Sequence, residues 1–264
     1  MLKLTHVTKT FNKGTVTEKR ALTGVDLTLE DGDFVTVIGG NGAGKSTLMN
    51  MIAGVYPVDT GTIELDGHDI SRLPEHKRAQ YLGRVFQDPM RGTAADMMIE
   101  ENLALAKRRG LRRGLRWGVT KAERAEYAEQ LKGLGLGLES RLSSKVGLLS
   151  GGQRQALTLL MATIKRPQLL MLDEHTAALD PKTAKKVLEL TEQIVDGEHL
   201  TTLMVTHNMS DAIRLGNRLI MMHEGRIIYD VRGAEKQALT VPDLLQKFEE
   251  TAGAEFANDR MLLS

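Results

Sequence analysis

Residues 2–11 and 22–29 alternate apolar and polar side chains, with Val25, Leu27 and Leu29 on one face, and this period of two predicts half-buried strands. Residues 34–38 (FVTVI) form a continuous apolar run that stops at glycines, and a helix is expected to begin near Lys45. Strand, glycine loop and helix in that order open a parallel α/β layer. In residues 62–70 (TIELDGHDI) an Asp-Gly turn separates two short strands. A further apolar segment ends at Phe86. From Asp88 to about Lys165 the chain is rich in Ala, Leu, Glu, Lys and Arg, the favoured helix formers, so a helical subdomain inserted into the sheet layer is expected there. LLML (169–172) and LTTLMV (200–205) return as buried strands, 219–222 and 226–229 as a hairpin around Glu224-Gly225, and 241–250 as a last amphipathic helix.

Composition narrows the setting. The 264 residues suffice for one α/β domain with a smaller subdomain. With no cysteine, disulfides and thiolate metal sites are excluded. The N-terminus, MLKLTHVTKTF, lacks the long apolar stretch of a signal peptide, and no apolar run approaches the roughly 20 residues that cross a bilayer. A formal net charge of +1 gives no global pull towards nucleic acid or anionic lipid. Locally, residues 107–116 hold Lys107, Arg108, Arg109, Arg112, Arg113 and Arg116 in a twice-written RRGL repeat, with Trp117 beside them. Three readings stand: a solvated charged loop, contact with lipid headgroups, or nucleic-acid binding, the last weakened by the scarcity of aromatic platforms. The methionines, Met49 and Met51 among them, read as core filler, with Met97 and Met98 placed to line a groove for a partner.

Residues 39–47 read GGNGAGKST and meet the pattern G-x-x-x-x-G-K-[ST] at Gly39, Gly44, Lys45 and Ser46. Glycines let successive backbone N–H groups point at one spot, and the helix behind adds its positive end. Lys45 is expected on the β- and γ-phosphates and the Ser46 hydroxyl on Mg²⁺. The candidate nucleotide cradle is thus Gly39, Gly40, Asn41, Gly42, Ala43, Gly44, Lys45, Ser46 and Thr47. By itself the loop implies a nucleoside triphosphate and leaves kinase, GTPase, helicase and transporter open. Residues 169–174 (LLMLDE) end a buried strand in two acids. Asp173 suits Mg²⁺, and Glu174 suits polarising the attacking water, a general-base role worth about 10²–10⁴-fold. The base-reading N-K-x-D of a GTPase is absent from the sequence.

Residues 149–153 read LSGGQ, just before the apolar-periodic run RQALTLLMA. Ser150 is a good helix cap, and the exposed N–H groups of Gly151 and Gly152 make an anion site. With this motif the sequence closely resembles the ABC ATPase family over residues 1–235, all motifs falling in the family order. The resemblance implies an α/β fold: a P-loop NTPase (RecA-like) core with a mainly parallel sheet, an N-terminal antiparallel β subdomain and an inserted helical subdomain at about 88–165. Residues 236–264 then form a C-terminal helical tail.

The resemblance also assigns roles. Ser150, Gly151, Gly152 and Gln153 would grip the γ-phosphate of ATP held by an opposite subunit. Phe11 would stack on adenine. Gln87, at the hinge into the helical subdomain, would touch Mg²⁺ and the attacking water. Asp180 would signal across the dimer and also cap the helix that begins at Pro181, while His207 would contact the γ-phosphate. ATP and Mg²⁺ are the implied ligands. The implied partners are a second ATP-binding subunit, transmembrane permease subunits and a substrate-binding lipoprotein, at the cytoplasmic face of the plasma membrane and with no nucleic acid. Import of a small solute such as an amino acid is the expected task; an exporter or lipoprotein-releasing cassette is the alternative, and a soluble ABC protein or a P-loop kinase lies further off. One departure concerns the residue after Glu174, where the family usually has Pro and this chain has His175, in DEHTAALD. That motif resembles bacterial importers associated with aromatic amino acids, and His175 reads as a structural replacement for Pro.

Overall fold

The computed structural model describes residues 1–111 and 118–252. The chain divides into two compact units, Met1–Arg78 together with His199 onward, and Ala79–Glu198. The first unit opens with β1 (Leu2–Phe11), β2 (Lys19–Leu29), β3 (Phe34–Ile38), α1 (Lys45–Ala53), β4 (Thr60–Leu65), β5 (His68–Asp69) and the short α2 (Glu75–Arg78). The second runs β6 (Leu82–Val85), α3 (Ile99–Lys107), α4 (Lys121–Gly133), a 3₁₀ turn at Val146–Leu148, α5 (Gly151–Thr163), β7 (Leu169–Asp173) and α6 (Pro181–Glu198). The chain then returns to the first unit through β8 (Thr202–Val205), α7 (Met209–Arg214), β9 (Arg218–His223), β10 (Arg226–Arg232), α8 (Gly233–Ala238) and α9 (Val241–Ala252).

The alternation read along the N-terminus is the register of an antiparallel layer. Leu2, Leu4 and Val7 of β1 face Leu29, Leu27 and Val25 of β2, and all six are buried. β4 pairs on the other edge of β1, and β5 folds back on β4 through Asp66 and Gly67, both at positive φ as a tight hairpin requires. β2 begins three residues before the predicted start. Lys19 and Arg20 are exposed, but their backbone is held by pairing with Phe11 and Thr10.

β3 is the heart of the first unit. It lies parallel between β8 and β9, with Val37 opposite both Val205 and Ile220, and every one of its side chains is buried. A strand covered on both faces needs no polar alternation, which is why FVTVI is apolar throughout. Its one hydroxyl, Thr36, donates to the Ala212 carbonyl of α7 at 2.8 Å. β10 pairs antiparallel with β9, and Leu244 and Phe248 of α9 join a core with Met209, Leu219, Met221 and Val231. In the second unit β6 and β7 run parallel, Val85 opposite Leu172. α5 is buried along nearly its whole length. The fold class is the one the resemblance implied.

Part of the basic run is corrected. Arg109 is neither solvated nor aimed at a lipid surface: it turns inward and donates to the carbonyls of Ala162 (3.3 Å), in the last turn of α5, and Lys165 (3.0 Å), just beyond it. Lys107 pairs with Glu126 and Arg108 with Glu123 (2.7 Å), so these charges are spent on fixing α3 against α4. Arg112, Arg113, Arg116 and Trp117 lie outside the described residues. Met49 and Met51 are fully buried, whereas Met98 is 39% exposed.

The far end of α1 is tied by a buried cation. Arg78, 1% exposed, donates through Nη1 to the Met51 (2.7 Å) and Ile52 (2.9 Å) carbonyls of the last turn, through Nε to Leu73 and through Nη2 to Ser71. Carbonyls of a last helical turn lack the N–H four residues on; that of Met51 takes the Gly54 N–H at 3.1 Å as well as the Arg78 bond. Replacing Arg78 by Met keeps the apolar stem and removes these donors, so unfolding free energy by denaturant titration should fall by about 3 kcal/mol; a loss within 0.5 kcal/mol would contradict the tie.

Candidate functional site

In the first unit the phosphate loop leaves β3 at its C-terminal end. Because β3 and β8 are parallel neighbours in register, the turn that carries His207 leaves the same edge. The loop's curl is enforced by its neighbours. At Gly39, where φ is 152°, a Cβ would lie 2.2 Å from the Met222 carbonyl oxygen of β9. At Gly44, where φ is 103°, it would lie 2.7 Å from the Ala21 carbonyl oxygen of β2. The Gly225 N–H, in the β9–β10 turn, donates to the Ala43 carbonyl at 3.0 Å and closes the clamp.

Lys45 is buried and folds back on the loop, its Nζ donating to the carbonyls of Gly39 (2.6 Å) and Gly40 (3.0 Å). Asn41, Gly42 and Ser46 are exposed, and Thr47 is half-buried. No acid stands in the first turn of α1, so its positive end is not neutralised from within the helix. Above the loop opens a cavity of about 720 Å³ lined by Gly40, Asn41, Gly42, Lys19, Arg20 and Arg226, together with His223 and Glu224. Its volume is that of an ordinary small-ligand site, and its basic rim suits an anionic ligand. Phe11 ends β1 as the cross-strand partner of Lys19, and its ring meets Tyr56 edge to face at 5.1 Å. His207 is half-buried in the turn between β8 and α7, a turn held by the Asn208 N–H on the Thr206 hydroxyl (3.1 Å).

The second unit assembles its residues in the same manner. β6 and β7 are parallel and in register, so Gln87, two residues past β6, and the pair Asp173–Glu174, at the end of β7, leave one edge. Asp173 has Arg84 of β6 at 3.5 Å, and the Arg84 guanidinium lies over the Phe86 ring at 4.5 Å. Glu174 is half-exposed with a left-handed φ of 46°.

Ser150 caps α5 as expected: its hydroxyl accepts the Gln153 N–H (3.3 Å) while the Gln153 side chain accepts the Ser150 N–H (3.2 Å). Gln153 is thus spent on building the cap. Gly151 is exposed at the helix start, and Gly152 is buried where a Cβ would fall 2.0 Å from the Thr183 methyl of α6. Asp180 caps α6, accepting the Thr183 N–H at 3.1 Å, and the hydrogen bonds from Thr183 hold its carboxyl below the usual range.

Three comparisons bear on what these groups serve. The family model described as "ABC transporter" matches residues 22–177, more than half of the chain. The chain belongs to the ABC transporter family. It is 45% identical to a "Tyrosine transport ATP-binding protein" of Clostridioides difficile (strain R20291), over 94% of this chain and 99% of that one. It is 35% identical to "Methionine import ATP-binding protein MetN 2" of Enterococcus faecalis, over 86% of this chain and 64% of that one. Among solved structures it resembles the dimeric post-hydrolysis state of the ATP-binding cassette MJ0796 bound to ADP and Pi, with a TM-score of 0.75, 29% identity and coverage of 88% and 98%. The chain is therefore an ABC ATP-binding subunit, a P-loop ATPase whose hydrolysis is coupled to transport.

Sequence reasoning missed three parts of this ABC subunit's site. Arg84 reads as an ordinary strand residue, and only the pairing of β6 with β7 brings it to Asp173. Tyr56 follows α1 with no motif around it, yet it buttresses Phe11. Gln155, inside the apolar run after LSGGQ, donates to the Phe86 carbonyl (3.2 Å) and ties α5 to the exit of β6; a polar residue at an apolar position was the available signal.

His175 is 1% exposed and its Nε2 lies 3.1 Å from the Thr191 hydroxyl, in keeping with a structural role. Burial pushes its pKa down from 6.5 to about 4. As pH falls, the unfolded chain takes up this proton first. The contribution of His175 is therefore complete above about pH 6.5 and is lost as pH falls towards 4, by about 3 kcal/mol in full. Denaturant titrations from pH 7 to pH 4 should show a shallower loss for His175→Leu than for the wild type; parallel curves would contradict this.

Proposed function

We propose that this subunit powers import of an aromatic amino acid, tyrosine being the leading candidate, from the cytoplasmic face of the plasma membrane. The observation that carries the reading is 45% identity over 99% of a relative named for tyrosine transport. The DEHTAALD motif supports the same class. Among the described residues no helix is long and apolar enough to cross a membrane, so transmembrane permease subunits are the proposed spanning partners, with a substrate-binding lipoprotein delivering the solute. Import over an exporter or lipoprotein-releasing cassette is favoured by the relative named for methionine import.

Each site residue takes a role in ATP hydrolysis. Gly39 to Thr47 cradle the phosphates through backbone N–H groups, Lys45 turns from its loop carbonyls to the β- and γ-phosphates, and Phe11 stacks on adenine. The oxygens of Ser46, Gln87 and Asp173 are hard donors suited to Mg²⁺, which favours one or two carboxylates plus phosphate oxygens over a cage of protein ligands. Ser46 and Gln87 are exposed, each on its own unit. When bound, Mg²⁺ neutralises charge developing on the phosphate oxygens. Glu174 accepts a proton from the attacking water, and His207 hydrogen-bonds the γ-phosphate. The bond from the γ-phosphorus to the bridging oxygen breaks, and ADP and phosphate leave.

The second cover of the γ-phosphate comes from Ser150, Gly151 and Gly152 of a partner copy, and Asp180 relays occupancy between the two. ATP then favours the closed dimer and ADP does not.

Glu174→Gln should cut ATP turnover by about 100-fold or more and accumulate an ATP-bound dimer on size-exclusion chromatography. Turnover within twofold of wild type would remove Glu174 from its role. Disrupting the gene should abolish uptake of radiolabelled tyrosine, and the chain should co-purify from membranes with a permease and a lipoprotein. Unchanged uptake would overturn the substrate class and leave the ATPase reading intact.

A further inference from the structure

The hydrogen bond between His175 and Thr191 has a determinate direction. The Thr191 hydroxyl has one proton, and it goes to the Val187 carbonyl at 2.8 Å. Towards His175 that oxygen can only accept, so Nε2 carries the ring proton and donates. Nδ1 is then a bare acceptor, buried and without a hydrogen-bond partner among the described residues. A leucine would fill this space without an orphaned nitrogen. It would not fasten this point of the chain to α6.

The fastening acts where the backbone is least at ease. Glu174, immediately before His175, has a φ of 46°, a conformation that non-glycine residues seldom adopt. The contacts at the bend include the Ala177 N–H on the Glu174 carbonyl (3.0 Å) and the ring of the next residue pinned to α6, 16 residues on. Glu174 is half-exposed and His175 wholly buried, so one side chain reaches solvent while its neighbour anchors in the interior.

We propose that His175 is a positioning residue for ATP hydrolysis, its Nε2–H bond to Thr191 holding Glu174 in the left-handed turn and so aiming the Glu174 carboxylate. The proposal rests on the reading of Glu174 as the general base. It joins Glu174 to the helix that Asp180 caps, so that the base and the start of α6 shift together.

The test is steady-state ATP hydrolysis by the full chain carrying Thr191→Val, which keeps the side-chain shape and removes the acceptor. The kcat should fall about tenfold while KM for ATP stays within twofold, because the aim of a reacting group is lost and nucleotide binding is not. Thr191→Ser restores the hydroxyl and should recover most of that kcat. His175→Leu should match Thr191→Val, and the double variant should be no slower than the worse single one. In a Glu174→Gln background, Thr191→Val should change nothing further. A Thr191→Val chain with a lowered Tm and wild-type kcat marks a bond that only stabilises, and overturns the proposal. So does equal loss in Thr191→Ser. Wild-type kcat in Thr191→Val with Glu174→Gln inactive overturns the tether alone, whereas an active Glu174→Gln chain overturns the base and the tether together.

Discussion

At Gly39 and at Gly44 there is room for backbone and little else. The Met222 carbonyl oxygen stands 2.2 Å from where a Cβ on Gly39 would be, and the Ala21 carbonyl oxygen 2.7 Å from one on Gly44. The loop is clamped by β9 on one side and β2 on the other, with Gly225 closing it from the β9–β10 turn. A glycine-rich segment free in solution would lose this shape to entropy; here two strands and a turn remove the alternatives before any ligand arrives. The same clamp sets the start of α1, and Arg78 holds its last turn, so the positive end of a helix fixed at both ends faces the basic cavity.

The second unit solves a different problem, that of bringing acids and a glutamine to one place without burying them. Parallel strands do this by geometry: β6 and β7 end together, so Gln87 and Asp173–Glu174 emerge at one edge while apolar side chains anchor the strands beneath. α5 serves as the frame. Its first turn presents the capped N-terminus at Ser150, Gly152 rests against Thr183 of α6, and Gln155 holds the exit of β6. A single rigid helix therefore touches the signature, the start of the Asp180-capped helix and the Gln87 segment.

How much of this was legible depended on how far apart the partners lie in the chain. The phosphate loop, the LLMLDE strand end and the Ser150 cap are local patterns, and each formed where the residues alone placed it. β3 was readable because burial on both faces leaves an unbroken apolar run. The start of β2 was not, because Lys19 and Arg20 are strand by pairing and not by pattern. Buried cations were the largest blind spot. Arg109 read as part of a charged run and Arg78 carried no signal at all, yet each is held by carbonyls 5 to 56 residues away, and nothing in a single sequence marks which carbonyls need donors. Lys236, buried with its Nζ on the Ile213, Leu215 and Gly216 carbonyls, belongs to the same class. His175 was visible only as a departure from proline; that it meets Thr191 required the packing of α6.

The central claim is that a complete hydrolytic site takes its lysine loop from one copy and its glycine-rich helix cap from another. The direct measurement is complementation between two inactive variants, Lys45→Ala and Gly152→Asp, mixed in equal amounts and assayed for ATP hydrolysis. In a mixed dimer one site carries both lesions and the other carries neither, so random pairing restores about a quarter of wild-type activity. A mixture as inactive as its components, with dimers shown to exchange subunits, would contradict the shared site.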